Sequence, residues 1–172
     1  LKELLNLADF PLVNCNYNFQ ETILNGDILP FHILKKGKLK IGILGIGVEL
    51  EGLVPSSLFE STGYNDPVRS ANITAKHLKK KLGCDLVIAL SHLGYRYSSN
   101  KISDLKLIEA SENIDVVLGG HTHTLFEKPE IHKNCKGKEV ILNQVGWAGM
   151  NLGRIDLYFN KGSLRKMKSQ GS

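Results

Sequence analysis

Two short apolar runs separated by one helical pattern constrain the fold of this chain more than any other feature. Residues 85–91 (Asp-Leu-Val-Ile-Ala-Leu-Ser) and residues 114–118 (Ile-Asp-Val-Val-Leu) are typical of buried strands. Between them, Ser103 can cap a helix that extends to Glu112. A strand, a helix and a second strand joined by short loops form a βαβ unit, which requires parallel strands and a right-handed crossover. The sequence therefore predicts an α/β fold built on a parallel sheet.

Patterns on both sides of this unit extend the sheet. Residues 31–46 predict a hairpin whose turn contains Gly37. Asp66 and Pro67 are typical of the start of a helix, as N-cap and first residue, and Gly83 is typical of its end. Further strands are predicted at residues 11–16, 140–145, 152–159 and 163–167. We therefore expect a single domain, residues 1–172, with a parallel core and antiparallel additions.

Composition and charge exclude several classes of protein. The chain is 42% hydrophobic and 23% charged, which is ordinary for a globular protein and argues against disorder. It contains no apolar run of about 18 residues, so no membrane-spanning helix is predicted. The net charge of +5 comes from lysines scattered at predicted turns and helix ends, which does not indicate a nucleic-acid-binding surface. Three cysteines with no C-x-x-C pair do not indicate a disulfide framework, and Cys84 is expected in the core.

Three histidines follow the carboxyl ends of the two predicted parallel strands. His92 lies in Ser-His-Leu-Gly after the first strand, and His121 and His123 lie in Gly-Gly-His-Thr-His-Thr after the second. Binding sites in open α/β sheets form at this edge, and residues i and i+2 of an extended segment point the same way. Neutral imidazole is the commonest metal-binding side chain. The sequence therefore predicts that these three histidines share one metal-sized cluster.

The remaining candidates are interpreted as structural residues. His32 lies in a hairpin strand, His77 in a helix beside three lysines, and His132 in a polar segment, and none is expected to bind metal. Residues 25–27 (Asn-Gly-Asp) are typical of an ordinary turn. Trp147, in Gly-Trp-Ala-Gly, is either a substrate-stacking aromatic or a packed loop anchor, and the second interpretation is favoured.

No carboxylate is expected beside the three histidines. Asp85 and Asp115 begin their strands, which places them at the opposite edge of the sheet. Asp104 begins a helix, and we interpret it as a charge that favours the helix dipole. The sequence thus lacks the anionic bridge that a two-metal site needs.

At these histidines the sequence resembles the calcineurin-like metallophosphoesterase superfamily, and more narrowly its 5'-nucleotidase and 2',3'-cyclic phosphodiesterase branch. The resemblance lies in residues 85–95 and 114–124 and, more weakly, in residues 143–154. It implies part of a four-layer α-β-β-α sandwich with mixed sheets and a dinuclear site for two divalent ions, Zn, Mn or Fe. His92 and His121 resemble ligands of the second metal, and His123 resembles a ligand of the first. The implied reaction is in-line attack on phosphorus by a metal-bound hydroxide.

The chain also departs from the family pattern. The Asp-x-His and Gly-Asn-His motifs of the family do not occur in these 172 residues, and the Gly-Asp pair at residues 26–27 is interpreted as a turn and not as the family's Gly-Asp motif. In the family these motifs supply the bridging carboxylate, the Asn ligand and the catalytic His. We therefore expect the C-terminal half of a catalytic domain, with no catalytic residue of its own, unassigned substrate-binding residues and no activity alone. For the intact parent, the resemblance implies a periplasmic or secreted enzyme that acts on a small phosphoester, a nucleotide, rather than on a nucleic acid polymer.

Two alternatives to a nucleotidase stay open at this point. The same ligand set would serve a sulfur- or capsule-related hydrolase of the superfamily. A non-catalytic metal-binding or interaction domain could keep the sheet and lack half of the site. The chain's own N-terminal half, or a neighbouring copy, is the partner that could complete the site.

Overall fold

A six-stranded mixed sheet with helices packed on one face organises the chain. The structure, a computed structural model, describes residues 2–160 and 163–164. The strands are β1 (Tyr17–Asn18), β2 (Phe31–Lys36), β3 (Leu39–Ile46), β4 (Gly63–Tyr64), β5 (Leu86–Ser91), β6 (Val116–Leu118), β7 (Glu130–Lys133), β8 (Glu139–Asn143), β9 (Phe159–Asn160) and β10 (Ser163–Leu164). The helices are α1 (Lys2–Leu5), α2 (Ser56–Phe59), α3 (Pro67–Lys76), which continues as a π-helical segment (His77–Lys81), and α4 (Asp104–Ala110). None of these helices has the length and apolar character needed to cross a membrane.

The main sheet has the order β2-β3-β5-β6-β8-β7. β2 and β3 form the predicted antiparallel hairpin, with Gly37 at φ 58° in its turn. β3 pairs in parallel with β5, and β5 pairs in parallel with β6. The predicted βαβ unit and the mixed α/β fold are therefore confirmed.

α3 and α4 cover one face of this sheet. The Asp66 carboxylate accepts a hydrogen bond from the Arg69 backbone N at 2.6 Å, as expected for an N-cap. Gly83, at φ 66°, follows the helix in the left-handed conformation that usually ends one. The fully buried side chains on this face include Leu44, Ala71, Ala75, Leu78, Val87, Ala89, Leu93, Leu107, Ile108 and Val117. The main core therefore lies between the sheet and the two helices.

The opposite face of the sheet is only partly covered. A small cluster of Leu86, Val116 and Ile141 packs there with apolar residues of the segment 155–159. Leu90 and Leu118, at the carboxyl ends of β5 and β6, are 42% and 37% exposed. The prediction of a buried strand at residues 85–91 is therefore wrong for the last part of β5.

The predicted strand at residues 11–16 is wrong. The Asn14 side-chain Oδ1 accepts hydrogen bonds from the backbone N of Asn16, at 2.9 Å, and of Tyr17, at 2.7 Å. These bonds form a local turn, which diverts the backbone from a strand ladder. Val13 contributes only an isolated bridge to Leu29, and the short strand β1 follows the turn.

The later strands differ from the prediction in direction and extent. β8 pairs with β6 in parallel, whereas it was expected among the antiparallel additions. Its antiparallel partner β7 was not predicted, because Glu-Ile-His-Lys carries one apolar residue. Within residues 152–159 only Phe159 lies in a strand, and the predicted strand residues 165–167 lie outside the described residues.

Gly45, in β3, is expected to tolerate no side chain. A β-carbon at Gly45 would overlap the backbone carbonyl of Val13, whose position is fixed in part by the Cys15 N–Gly45 O hydrogen bond of 2.8 Å. Gly45→Ala should therefore lower the free energy of unfolding by about 3 kcal/mol. Gly52→Ala is the control, since a β-carbon there meets none of the described residues and its φ of 76° opposes the substitution by about 1 kcal/mol. Equal urea midpoints for the two variants would contradict this packing.

Candidate functional site

His92 and His121 come together at the carboxyl edge of the parallel strands. His92 follows β5 directly, and His121 follows β6 after Gly119 and Gly120. Their ring centroids are 5.1 Å apart, with an interplanar angle of 69°. A β-carbon at Gly120 would lie 3.1 Å from Nδ1 of His92, so glycine at this position permits the close approach of the ring.

The loop after β6 places its two histidines by a tight turn. His121 has φ 71° and His123 has φ 54°, both in the left-handed region. The expectation that both rings point the same way assumed an extended backbone, and that assumption is wrong. A non-glycine residue in this region is strained by about 1–2 kcal/mol, so the surrounding contacts must hold the loop. The His123 ring lies beside Trp147, with 5.9 Å between ring centroids.

Both paired imidazoles favour the neutral form. Burial lowers the pKa of His92, and the nearby charge of His123 lowers it further. Burial also lowers the pKa of His121, followed by the effects of His92, Lys101 and His123. Neutral imidazole is the form that binds metal, so the chemistry of this donor set fits a divalent ion with nitrogen ligands.

The described residues contain no group of three His, Cys, Asp or Glu side chains arranged to hold a metal ion. His92 and His121 form a close pair. The charge of His123 lowers the pKa of His92, and the His123 ring lies beside Trp147. The ligand roles of the three histidines therefore stay a prediction.

Asp104 lies between the two histidine motifs, beside Ser91 and Gly119. The expectation that no carboxylate lies beside the histidines is therefore wrong. The side chain is fully buried, and its Oδ1 accepts a hydrogen bond from Ser91 Oγ at 2.5 Å. Its Oδ2 has no hydrogen-bond partner among the described residues, and a β-carbon at Gly119 would overlap that oxygen. Burial raises the pKa of Asp104 to about 7, against the smaller opposing effect of the Ser91 hydrogen bond. Asp104 is thus a buried acid beneath the site and not an exposed helix charge.

Gln144 is a second residue of the site that the sequence did not reveal. It follows β8, is 2% exposed, and donates from Nε2 to the Gly120 carbonyl at 2.5 Å. Its Oε1 accepts from the Thr124 backbone N at 2.5 Å and from Thr122 Oγ1 at 3.1 Å. The position of Gln144 at the carboxyl end of a parallel strand is the signal that could have identified it.

The other predicted positions lie as follows. Trp147 is 60% exposed, so its interpretation as a packed loop anchor is wrong. His77 is exposed, as expected, and His132 pairs with Glu130 at 2.7 Å between Nε2 and Oε2. The turn at residues 25–27 is confirmed by the hydrogen bond from Asp27 N to the Leu24 carbonyl at 3.0 Å.

Comparisons with known proteins identify relatives that cover most or all of this chain. No family model matches the chain. The trifunctional nucleotide phosphoesterase protein YfkN of Bacillus subtilis is 32% identical over 143 residues, which cover 83% of this chain and 9% of YfkN. The snake venom 5'-nucleotidase of Gloydius brevicauda is 29% identical over an alignment that covers 100% of this chain and 30% of that protein. The crystal structure of a 5'-nucleotidase precursor from Thermus thermophilus superposes with a TM-score of 0.82, at 29% identity, over 99% of this chain and 35% of that one.

This chain is homologous to the 5'-nucleotidases and calcineurin-like phosphoesterases. The resemblance that the histidine motifs indicated is therefore confirmed. The mixed α/β fold of this chain agrees with that of these relatives. This chain spans about a third of the length of the nucleotidases it matches, and 9% of the length of YfkN.

Proposed function

We propose that this chain forms part of a metal-dependent phosphoester hydrolase, a 5'-nucleotidase-type phosphatase. The observation that carries the proposal is the pairing of His92 and His121, with lowered pKa values, at the carboxyl edge of adjacent parallel strands. Homology to nucleotidases and phosphoesterases supports the class of reaction. Two divalent ions, Zn, Mn or Fe, would act as Lewis acids that polarise the phosphoryl oxygens.

The residues of this chain would divide the metal binding between two ions. In this proposal His92 and His121 hold one ion and His123 contributes to the other. Asp104 is not proposed as a ligand, because its side chain is fully buried and its Oδ1 is bound to Ser91 within the core. The catalytic and bridging groups are proposed to come from elsewhere in the catalytic domain.

We further propose that the chain is the C-terminal half of that catalytic domain. The partly covered sheet face supports this, because Leu90 and Leu118 are exposed where a second sheet of a four-layer sandwich would pack. A cavity of about 710 Å³ extends over the same region and is lined in part by His92 and His121. The upstream half, or a neighbouring copy, would fill this space and deliver the missing ligands.

The proposed substrate is a small nucleotide, and the proposed location of the intact protein is periplasmic or secreted. The nucleotide is supported by the relatives, which are described as 5'-nucleotidases and a nucleotide phosphoesterase. The location is supported by a relative found in snake venom.

Metal titration of single variants tests the proposed ligands. Zn²⁺ binding, followed by calorimetry, should weaken by at least about 10-fold in His92→Ala and in His121→Ala, since each removes one nitrogen ligand. Trp147 is the only tryptophan of the sequence and lies beside His123, so bound Co²⁺ should quench its fluorescence in the original chain but not in His123→Ala.

His132→Ala is the matched control, because His132 pairs with Glu130 and is not expected to bind metal. Equal weakening in this variant, or no Zn²⁺ binding by the original chain, would refute the assignment. Zn²⁺ binding without phosphate release by the completed domain would instead favour the non-catalytic metal-binding alternative.

A further inference from the structure

The Gln144 side chain bridges both ends of the loop that carries His121 and His123. Its Nε2 donates to the Gly120 carbonyl before the first histidine, and its Oε1 accepts from the Thr124 backbone N after the second, each at 2.5 Å. Because the side chain is 2% exposed, water does not compete for these hydrogen bonds.

The chemistry of the contacts fixes the orientation of the Gln144 amide. A backbone carbonyl can only accept and a backbone N–H can only donate. Rotating the amide would place two acceptors together at Gly120 and two donors together at Thr124. The two hydrogen bonds of the Gln144 amide therefore hold the loop in one conformation.

This loop needs such support because both of its histidines lie in the left-handed region, at φ 71° and φ 54°. Conformations of this kind persist where surrounding contacts over-determine them. Thr122, between the two histidines, donates from Oγ1 to Gln144 Oε1 and accepts from the Tyr95 backbone N at 2.9 Å. Tyr95 belongs to the loop that follows His92, so the contacts of Gln144 extend to the first histidine motif.

We propose that Gln144 is a positioning residue, whose amide fixes the strained loop of His121 and His123 and, through Thr122 and Tyr95, sets it against His92. The proposal rests on the proposed metal-binding role of the histidines and adds the group that preorganises them. Gln144 is not itself a ligand, because both ends of its amide are engaged by the loop.

Gln144→Met is the principal test, because methionine keeps the length of the side chain and removes its hydrogen bonds. In the metal-free protein, hydrogen exchange of the Thr124 amide, measured by NMR, should accelerate by at least about 10-fold as its acceptor is lost. The calorimetric dissociation constant for Zn²⁺ should rise about 10–100-fold, the usual effect of removing a group that orients metal ligands.

Gln144→Glu tests the two hydrogen bonds of the amide separately. Glutamate keeps an acceptor for Thr124 and loses the amide donor to the Gly120 carbonyl. The Thr124 amide should therefore stay protected, while the Zn²⁺ affinity falls. If Gln144→Met does not fold, this variant decides alone: rapid exchange at Thr124, or an unchanged Zn²⁺ affinity, would overturn the proposal.

Asn134→Leu is the matched control, since it also replaces a buried amide by an apolar side chain of similar size. Asn134 is 5% exposed, and its side chain bonds Glu112, Lys136 and Lys138 around the turn that precedes β8. This turn adjoins the opposite end of β8 from Gln144, so the variant should lose stability and keep its Zn²⁺ affinity.

The outcomes separate this proposal from the proposed function. Zn²⁺ affinity within about 2-fold of the original in Gln144→Met, or an equal loss in Asn134→Leu, would overturn the positioning role. If the original chain binds no Zn²⁺, the proposed function fails, and exchange of the Thr124 amide still decides whether Gln144 holds the loop.

Discussion

Replacing Asp104 by asparagine is expected to stabilise the metal-free chain at pH 8 and to change its stability little at pH 4. Burial raises the pKa of Asp104 from 3.8 to about 7, so at pH 8 the folded chain holds an ionised carboxylate in its core. Within the part of the chain that the structure describes, its Oδ2 has no hydrogen-bond partner. The difference between the two pKa values, at about 1.4 kcal/mol per pH unit, corresponds to roughly 4 kcal/mol.

The sign of this pH dependence follows from proton binding. Because the folded-state pKa of Asp104 is the higher one, its contribution to stability is complete below about pH 4 and is lost as the pH rises to about 7. His92 and His121 act in the opposite direction, since their pKa values are lowered on folding. Comparing the variant with the original chain removes the contribution of the histidines, which both share.

Urea unfolding between pH 4 and pH 8, with a chelator present, measures the effect. The two stability curves should diverge as the pH rises, and parallel curves would contradict the buried, raised pKa. Ser91→Ala is an informative control because the Ser91 hydroxyl lowers the pKa of Asp104. Its removal should make the loss of stability toward high pH steeper, opposite to Asp104→Asn.

The parts of the fold that were predicted correctly are specified by residues that lie close together in the sequence. Asp66 and Pro67 define the start of α3, and Gly83 lies where the helical segment ends, because both signals act over a few neighbouring residues. The histidine motifs could be placed because short joints force a βαβ unit to deliver both loops to one edge.

The part that was missed depends on residues far apart in the sequence. Gln144 and the Gly120 carbonyl meet only because β8 runs parallel to β6, and the chain between them gave no sign of that direction. Had β8 been predicted parallel, the carboxyl-edge rule that identified the histidines would have identified Gln144 as well.

Asp104 was missed for a related reason. A carboxylate in the first turn of a helix is usually a solvated charge that favours the helix dipole. In a βαβ unit, however, the helix that follows a strand begins near the carboxyl edge of the sheet, where Ser91 and Gly119 surround this side chain. A residue at that helix end can therefore face the site, and its burial becomes visible only once the sheet and both loops are assembled.

The 172-residue chain assayed alone is expected to release no phosphate from nucleotides above the metal-only background. Two cations at about 3.5–4 Å spacing need an anionic bridge between them. Among the described residues no three His, Cys, Asp or Glu side chains form a metal-holding group, and the carboxylate near the histidines, Asp104, is fully buried. Exposed Leu90 and Leu118 also leave one sheet face partly open, which should make the isolated chain poorly stable.

Adding the upstream half of the proposed catalytic domain should restore turnover. The assay would follow phosphate release from a nucleoside monophosphate with Mn²⁺ or Zn²⁺, before and after the two polypeptides are mixed. Activity that appears only on mixing would support a divided site, because it requires groups from both polypeptides. His121→Ala in this chain should abolish that activity, while His77→Ala, at an exposed helical position, should leave it intact. Robust turnover by the chain alone would contradict the divided site, since one polypeptide would then hold every group that the reaction needs.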